Sequence, residues 1–290
     1  MSEPTPVAAA LFSRGAGAVS LIDSHAHLQA EAFAGDAAEV LAAARLDGVQ
    51  RLLIPGWDVD SSRAAVALAG SWRGVDASAG IHPHVASSAN AGTWQHIVAL
   101  AAEPAVVAIG ETGLDYDRGF SPREAQLENL RRHVELALRL AKPLILHCRS
   151  KPGERDAQDD LLRVLDEGGL GGPEATKRFG ERPPAVLHSF SGPVDYAERA
   201  LAMGCAVSFS GLVFRKGEEA SADVARLVPA ERLLVETDCP YLSPPGAPRR
   251  RNEPLWVRVT TAWVASQRGI ELGQLGSGLL DAYDRTFANA

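Results

Sequence analysis

The sequence predicts an α/β fold, a single-domain (β/α)8 barrel. Three observations carry that expectation. Eight short apolar or β-branched runs alternate with stretches of helical periodicity. The runs are apolar throughout and do not alternate with polar residues, as expected of parallel strands covered on their outer face. Eight such units over about 270 residues suit a closed barrel, for which about 250 residues is typical. The runner-up, an open doubly wound sheet, would place a glycine-rich phosphate loop after strand one, and none follows here.

The runs, in order, are VSLID (19–23), RLLIP (51–55), VDASAGI (75–81), AVVAIG (105–110), PLILH (143–147), PAVLH (184–188), CAVSFSG (205–211) and RLLVET (232–237). Each is followed by a plausible helix. Gly48 and Gly204 stand where the helices after strands one and six should stop, since glycine readily takes the left-handed conformation that ends a helix. The clearest start is Ser121-Pro122-Arg123-Glu124. It reads as an N-cap serine, a proline at the first helical position and a capping-box glutamate. Leu127, Leu130, Val134 and Leu138 then recur at helical spacing and form one buried stripe. Two connections are long: CRSKPGERDAQDD after strand five, and the Gly/Pro-rich EGGLGGPEATKRFGERPP before strand six.

Composition narrows the function. With 46% hydrophobic residues the 290-residue chain can bury a large core, and its net charge of −7 argues against a generally basic, nucleic-acid-coating surface. Cys148, Cys205 and Cys239 form neither a CxxC pair nor an even framework, which suits a reducing cytoplasm. No run approaches the ~18 apolar residues needed to span a bilayer. Residues 1–19 lack the pattern of a signal peptide and read as a loose extension, leaving 20–290 for the barrel.

In such a barrel, chemistry gathers at the C-terminal ends of the strands. Strand one ends in His25 and His27, which point the same way in extended backbone. Strand three runs into His82-Pro83-His84. Strand four ends in Glu111, strand five in His147, strand six in His188, and strand eight in Glu236 and Asp238. Six of the eight histidines thus fall at equivalent places in the fold. His96 and His133 lie in helical patterns and read as surface or satisfied residues. A single histidine at a strand end is more often structural; six of them with carboxylates at one mouth indicate a metal centre.

The segments DSHAHL, GIHPH, AIGETGLDYD, LILHCRS, LHSFSG and VETDCPYLSP followed by RRRNEP occur in order across residues 21–288. This set resembles the TatD family of metal-dependent deoxyribonucleases, within the amidohydrolase-like barrel enzymes. The resemblance implies two divalent ions, Mg²⁺ or Mn²⁺ with Zn²⁺ as an alternative, and no organic cofactor. His25, His27 and Asp238 would hold one ion, His147 and His188 the other, and Glu111 would bridge them. His82 and Glu236 match positions beside the metals, for substrate contact or support. The two long connections depart from the family pattern.

A shared carboxylate suits two dications about 3.5–4 Å apart. Asp238 would be both a ligand and the acceptor of the proton lost by the attacking water. Glu236 should point inward beneath Asp238, where an unpaired carboxylate is costly, so a histidine, metal or water should partner it. Cys148 and Cys239 should turn outward, as packing residues and not nucleophiles. The expected substrate is DNA, attacked at its ends. Loop cations (Arg118, Arg149, Lys151, Arg155, Arg215, Lys216 and Arg249 to Arg251) and aromatics (Tyr116, Phe190, Phe214, Tyr241) support it, while Glu154, Asp156, Asp159 and Asp160 partly offset it. The loop SPPGAPRRRNEP (243–254) should overhang the metals, unless its arginines are merely solvated or one pairs with Glu253. The alternative is a hydrolase of small esters or amides; a non-catalytic scaffold would lack a ligand, and none is missing.

Overall fold

The computed structural model describes residues 19–287; the expectation for residues 1–18 lies outside them. Eight parallel strands follow one another around the sheet: β1 (Leu21–Asp23), β2 (Val49–Ile54), β3 (Val75–Ala79), β4 (Val106–Asp115), β5 (Leu144–Arg149), β6 (Ala185–Leu187), β7 (Ala206–Phe209) and β8 (Leu233–Val235). The helices between them are α1 (Ala37–Leu46), α2 (Val59–Ser71), α3 (Ala91–Ala101), α4 (Arg123–Leu140), α5 (Asp156–Glu167), α6 (Pro173–Phe179), α7 (Val194–Ala202) and α8 (Ser221–Leu227), with α9 (Val257–Arg268) and α10 (Leu272–Phe287) after β8. Strand residues such as Leu21, Leu53, Ile109, Leu146, Val207 and Leu234 are fully buried. No described helix is long and apolar enough to cross a membrane.

The last pairing closes the ring. Ser24 N–H donates to Val235 O, His27 N–H to Cys239 O, Asp238 N–H to His25 O, and Ala26 bridges Cys239 in parallel. Gly48 and Gly204 follow α1 and α7 with φ of 104° and 88°, as expected. Where a glycine-rich linker was expected before β6, the short helix α6 forms instead, with Pro173 in its first turn.

Strand β4 runs five residues past the expected Gly110, to Asp115. The sequence GETGLD carries two glycines and two acids and so resembles a turn. Backbone contacts explain the strand. Between Ile109 and Thr112 the register against β5 slips by one residue, a bulge that re-aims the side chain of Glu111. Gly113 has φ 131°, and a Cβ there would collide with the His147 carbonyl oxygen. These glycines allow strands to approach; they do not end one.

The helix after β4 starts differently from expectation. It begins at Arg123, with Pro122 as its N-cap and no side-chain cap. Ser121 does not cap it, because its hydroxyl donates to His84 O and accepts from Ser87 N–H, tying this loop to the one after β3. The buried stripe is present: Leu130 and Val134 are enclosed, with Leu127 and Leu138 packed at its margin. His96 is exposed, while His133 is a satisfied core residue. Its Nδ1–H donates to Asn129 O, and its Nε2 accepts from Ile81 N–H, one residue before His82.

Burial therefore holds His133 neutral and pushes its pKa from 6.5 down to about 4. The unfolded chain takes up a proton there that the folded chain refuses, so stability falls as pH drops from about 6.5 towards 4. The loss is about 3 kcal/mol. Denaturant titrations across that range should show a flatter acid limb for His133→Gln than for wild type; parallel limbs would contradict it.

Candidate metal centre

The centre is built around Glu111, which the β4 bulge directs into the barrel mouth. Its carboxylate is 4% exposed and splits its oxygens between two groups of imidazoles. Oε2 faces His25 Nε2 at 3.3 Å and His27 Nε2 at 3.8 Å. Oε1 faces His188 Nε2 at 3.0 Å, His147 Nδ1 at 3.2 Å and His82 Nε2 at 3.2 Å. Asp238 completes the first group, its Oδ1 lying 3.3 Å from His27 Nε2 and 3.8 Å from His25 Nε2. Asp238 takes φ 54° without being glycine, a strained backbone of the kind found at functional sites.

All six residues expected as ligands meet here, and so does His82, which is as close to Glu111 as His147 is. The donor atoms fit a metal. Ions bound at about 2.0–2.2 Å place neighbouring ligand atoms about 3–3.5 Å apart, close to the separations found. Three groups could each hold an ion: His25, His27 and Asp238; His25, Glu111 and His188, which shares His25 with the first; and, separate from both, His82, His84 and His147.

Charge balance explains how so many polar groups tolerate burial. For Glu111, burial works to raise the pKa, and His82, His188 and His25 together with a hydrogen bond from His147 hold it well below the usual carboxylate range. For His188, burial opposes its charge, yet Glu111 and Glu236 hold its pKa well above 6.5. Asp238 is lowered too: burial raises it, and His27, His25 and His188 overcome that.

The partner anticipated for Glu236 is His188, whose Nδ1 lies 3.1 Å from Glu236 Oε1. Asp115 has the equivalent place on the other side. Its Oδ2 lies 3.2 Å from His147 Nε2 and 2.7 Å from His84 Nε2. A carboxylate on the outer nitrogen keeps that nitrogen protonated and leaves the inner one free as a donor to metal. Asp115 was not singled out from sequence, and His84 was counted among the six histidines of the mouth without a role of its own; the (i, i+4) spacing Glu111/Asp115 was the available signal. Asp23 was missed likewise. It accepts from Thr237 N–H, Thr237 Oγ and His25 N–H, fastening the β1 end to the β8 end. Burial pushes its pKa up to about 8, against those hydrogen bonds.

The two thiols are packing groups. Cys148 lies against Tyr196 of α7 and burial pushes its pKa up to about 12; burial also raises Cys239 well above its usual value.

The mouth loops differ from expectation. Arg251 is not free for a ligand: it pairs with Asp36 and Glu253 and lies over the Phe33 ring. Asn252, fully buried, donates to Thr237 O and Tyr241 O, so RRRNEP partly anchors the loop. Arg249 and Arg250 are exposed, and among the described residues they make no ion pair. Arg149 pairs with Asp117, and Arg155 with Asp159 and Asp195. Phe190 belongs to the core, stacked on Tyr196. Phe214 packs on Trp263, and the Tyr116 hydroxyl is held by Asp160.

Comparison with known proteins is consistent with this picture. The profile of the family described as TatD related DNase matches residues 22–288. A Klebsiella pneumoniae protein named 3'-5' ssDNA/RNA exonuclease TatD is 38% identical over 258 residues, 87% of this chain and 91% of that relative. A Bacillus subtilis protein named uncharacterized metal-dependent hydrolase YabD is 32% identical over 267 residues, 92% and 98% of the two chains. The crystal structure of the TatD homologue YJJV from Escherichia coli superposes with a TM-score of 0.79 at 26% identity, covering 92% of this chain and 97% of that one. Fold and relatives define the class, a barrel enzyme that hydrolyses ester bonds. Within it, the chain belongs to the TatD family.

The place of Asp115 has a measurable consequence. Asp115→Asn should keep the number of bound ions while lowering metal affinity about ten- to hundredfold, since it removes charge from behind a ligand. Calorimetric titration with Mn²⁺ or Zn²⁺ checks it; unchanged affinity would show that Asp115 does not act through His147.

Proposed function

We propose that this chain is a two-metal exonuclease, cutting phosphodiester bonds at the ends of DNA strands. The observation that supports it most is the division of the Glu111 oxygens between two groups of imidazoles, which suits one ion on each oxygen. His25, His27 and Asp238 would hold one ion, and His147 and His188 the other. Mg²⁺ or Mn²⁺ is the proposed activator, with Zn²⁺ compatible with the same donors. When bound, such ions supply positive charge to the phosphate oxygens and lower the pKa of a coordinated water.

The remaining steps belong to the chain's own groups. Asp238 lies at the open side of the centre, its side chain 14% exposed, and is placed to accept the proton of the attacking water. His82, 12% exposed and beside Glu111 Oε1, is placed to contact a phosphate oxygen. Glu236 acts through His188, which it orients. Arg249 and Arg250, and Arg149 if it exchanges Asp117 for a phosphate, are the proposed cations for flanking phosphates. A small-ester hydrolase would favour a closed apolar pocket over its metals. The exposed Phe120 and Tyr241 in the loops around the centre and the naming of relatives as nucleases favour a polymer.

End-labelled single-stranded DNA, incubated with Mg²⁺, Mn²⁺ or EDTA, tests the reading. Shortening from one end that needs metal is expected, and no cleavage with either ion would overturn it. Glu111→Ala should lower turnover at least about a hundredfold and lower metal content, since metal charge contributes several kcal/mol to such a transition state. His82→Ala should lower turnover while metal analysis still finds two ions. Loss of an ion would make His82 a ligand.

A further inference from the structure

Four large hydrophobic side chains are exposed among the described residues: Leu46, Leu227, Phe120 and Tyr241. Leu46 ends α1 and Leu227 ends α8. Barrel helices run back from the mouth, so both leucines lie at the face away from the centre. Phe120 and Tyr241 are different, because they belong to the loops after β4 and β8, at the mouth. Each leans on an imidazole of the site. Phe120 meets His84 nearly perpendicularly, with centroids 4.8 Å apart, and Tyr241 meets His27 in the same manner at 5.9 Å. The two rings are nevertheless 66% and 59% exposed.

We propose that Phe120 and Tyr241 are stacking sites for unpaired nucleobases, one on each side of the cleaved phosphate. The proposal rests on the nuclease reading and adds where the bases go. His27 belongs to the group with Asp238, and His84 to the Asp115 side, so the two rings flank the centre at opposite ends. Between them the imidazoles of His25, His188 and His147 form an unbroken run of rings, with neighbouring centroids 4.0 to 6.0 Å apart. A ring supported by a neighbouring imidazole and open to solvent offers a flat apolar face whose burial is deferred until a ligand arrives. Every base has such a face, so recognition would be tolerant of sequence. A duplex keeps its base faces within its own stack. The site therefore selects single strands or frayed ends of DNA or RNA.

The test is steady-state hydrolysis, with activating metal, of a short single-stranded oligonucleotide by wild type, Phe120→Ala, Phe120→Trp and Tyr241→Ala. Matched oligonucleotides carry a baseless tetrahydrofuran residue at each terminal position in turn. Each alanine variant should raise KM for the natural oligonucleotide about five- to hundredfold, with a smaller change in kcat. Phe120→Trp should restore the wild-type KM. With the baseless residue at the stacked position, wild type and the alanine variant should converge. Equal KM values on the natural oligonucleotide, or the same loss with and without the base, would overturn the stacking sites while leaving the nuclease reading intact. A wild type that cleaves no oligonucleotide would overturn that reading and the stacking sites with it.

Discussion

A buried carboxylate shared between two sets of imidazoles governs this structure. Glu111 faces four histidines within 3.3 Å, His25, His82, His147 and His188, and their ring N–H groups, with the charge favoured on His188, offset the cost of burying it. The order of groups through Oε1 is regular: Asp115, His147, Glu111, His188, Glu236. Each imidazole lies between two carboxylates. His147 turns Nδ1 inward and His188 turns Nε2 inward, so the outer carboxylates select opposite tautomers for one end. Removing any one member leaves its neighbours one partner short in a buried site, which is more costly than the interaction itself was favourable.

The same contacts close the barrel. β1 and β8 are only three residues each, and the seam between them continues beyond both strands through His27 N–H to Cys239 O and Asp238 N–H to His25 O. Those hydrogen bonds set His25, His27 and Asp238 beside each other. Asp23 reinforces the seam from below by accepting both donors of Thr237. Closure of the fold and assembly of the group His25, His27 and Asp238 are thus one event. On the opposite side, Gly113 lets β4 approach β5 so that Glu111 and His147 share the mouth.

Much of this was legible in the sequence because barrel strands are short apolar runs and their ends are where chemistry lies. Glu111, His147, His188 and Asp238 each terminate such a run, so finding the strands finds the donors. What escaped had a different physical origin. Asp115 lies beyond two glycines that resemble a turn, and only the close approach of β5 shows them to be strand. Ser121 matches a capping sequence, yet His84 O and Ser87 N–H compete for its hydroxyl. The pair with Glu253 was among the alternatives for the arginine run, whereas the pair of Arg251 with Asp36 escaped because Asp36 is 215 residues away along the chain. Phe190 read as a mouth aromatic and Phe120 was passed over, since which aromatic is buried depends on helix packing and not on spacing.

The two-metal proposal would put one ion on each oxygen of Glu111. Anomalous X-ray scattering from crystals soaked in Mn²⁺ measures this directly. The account predicts two peaks about 3.5–4 Å apart, one against Oε2 with His25, His27 and Asp238, the other against Oε1 with His147 and His188. A single peak, or a second one bound by His84 and Asp115 with no contact to Glu111, would contradict it.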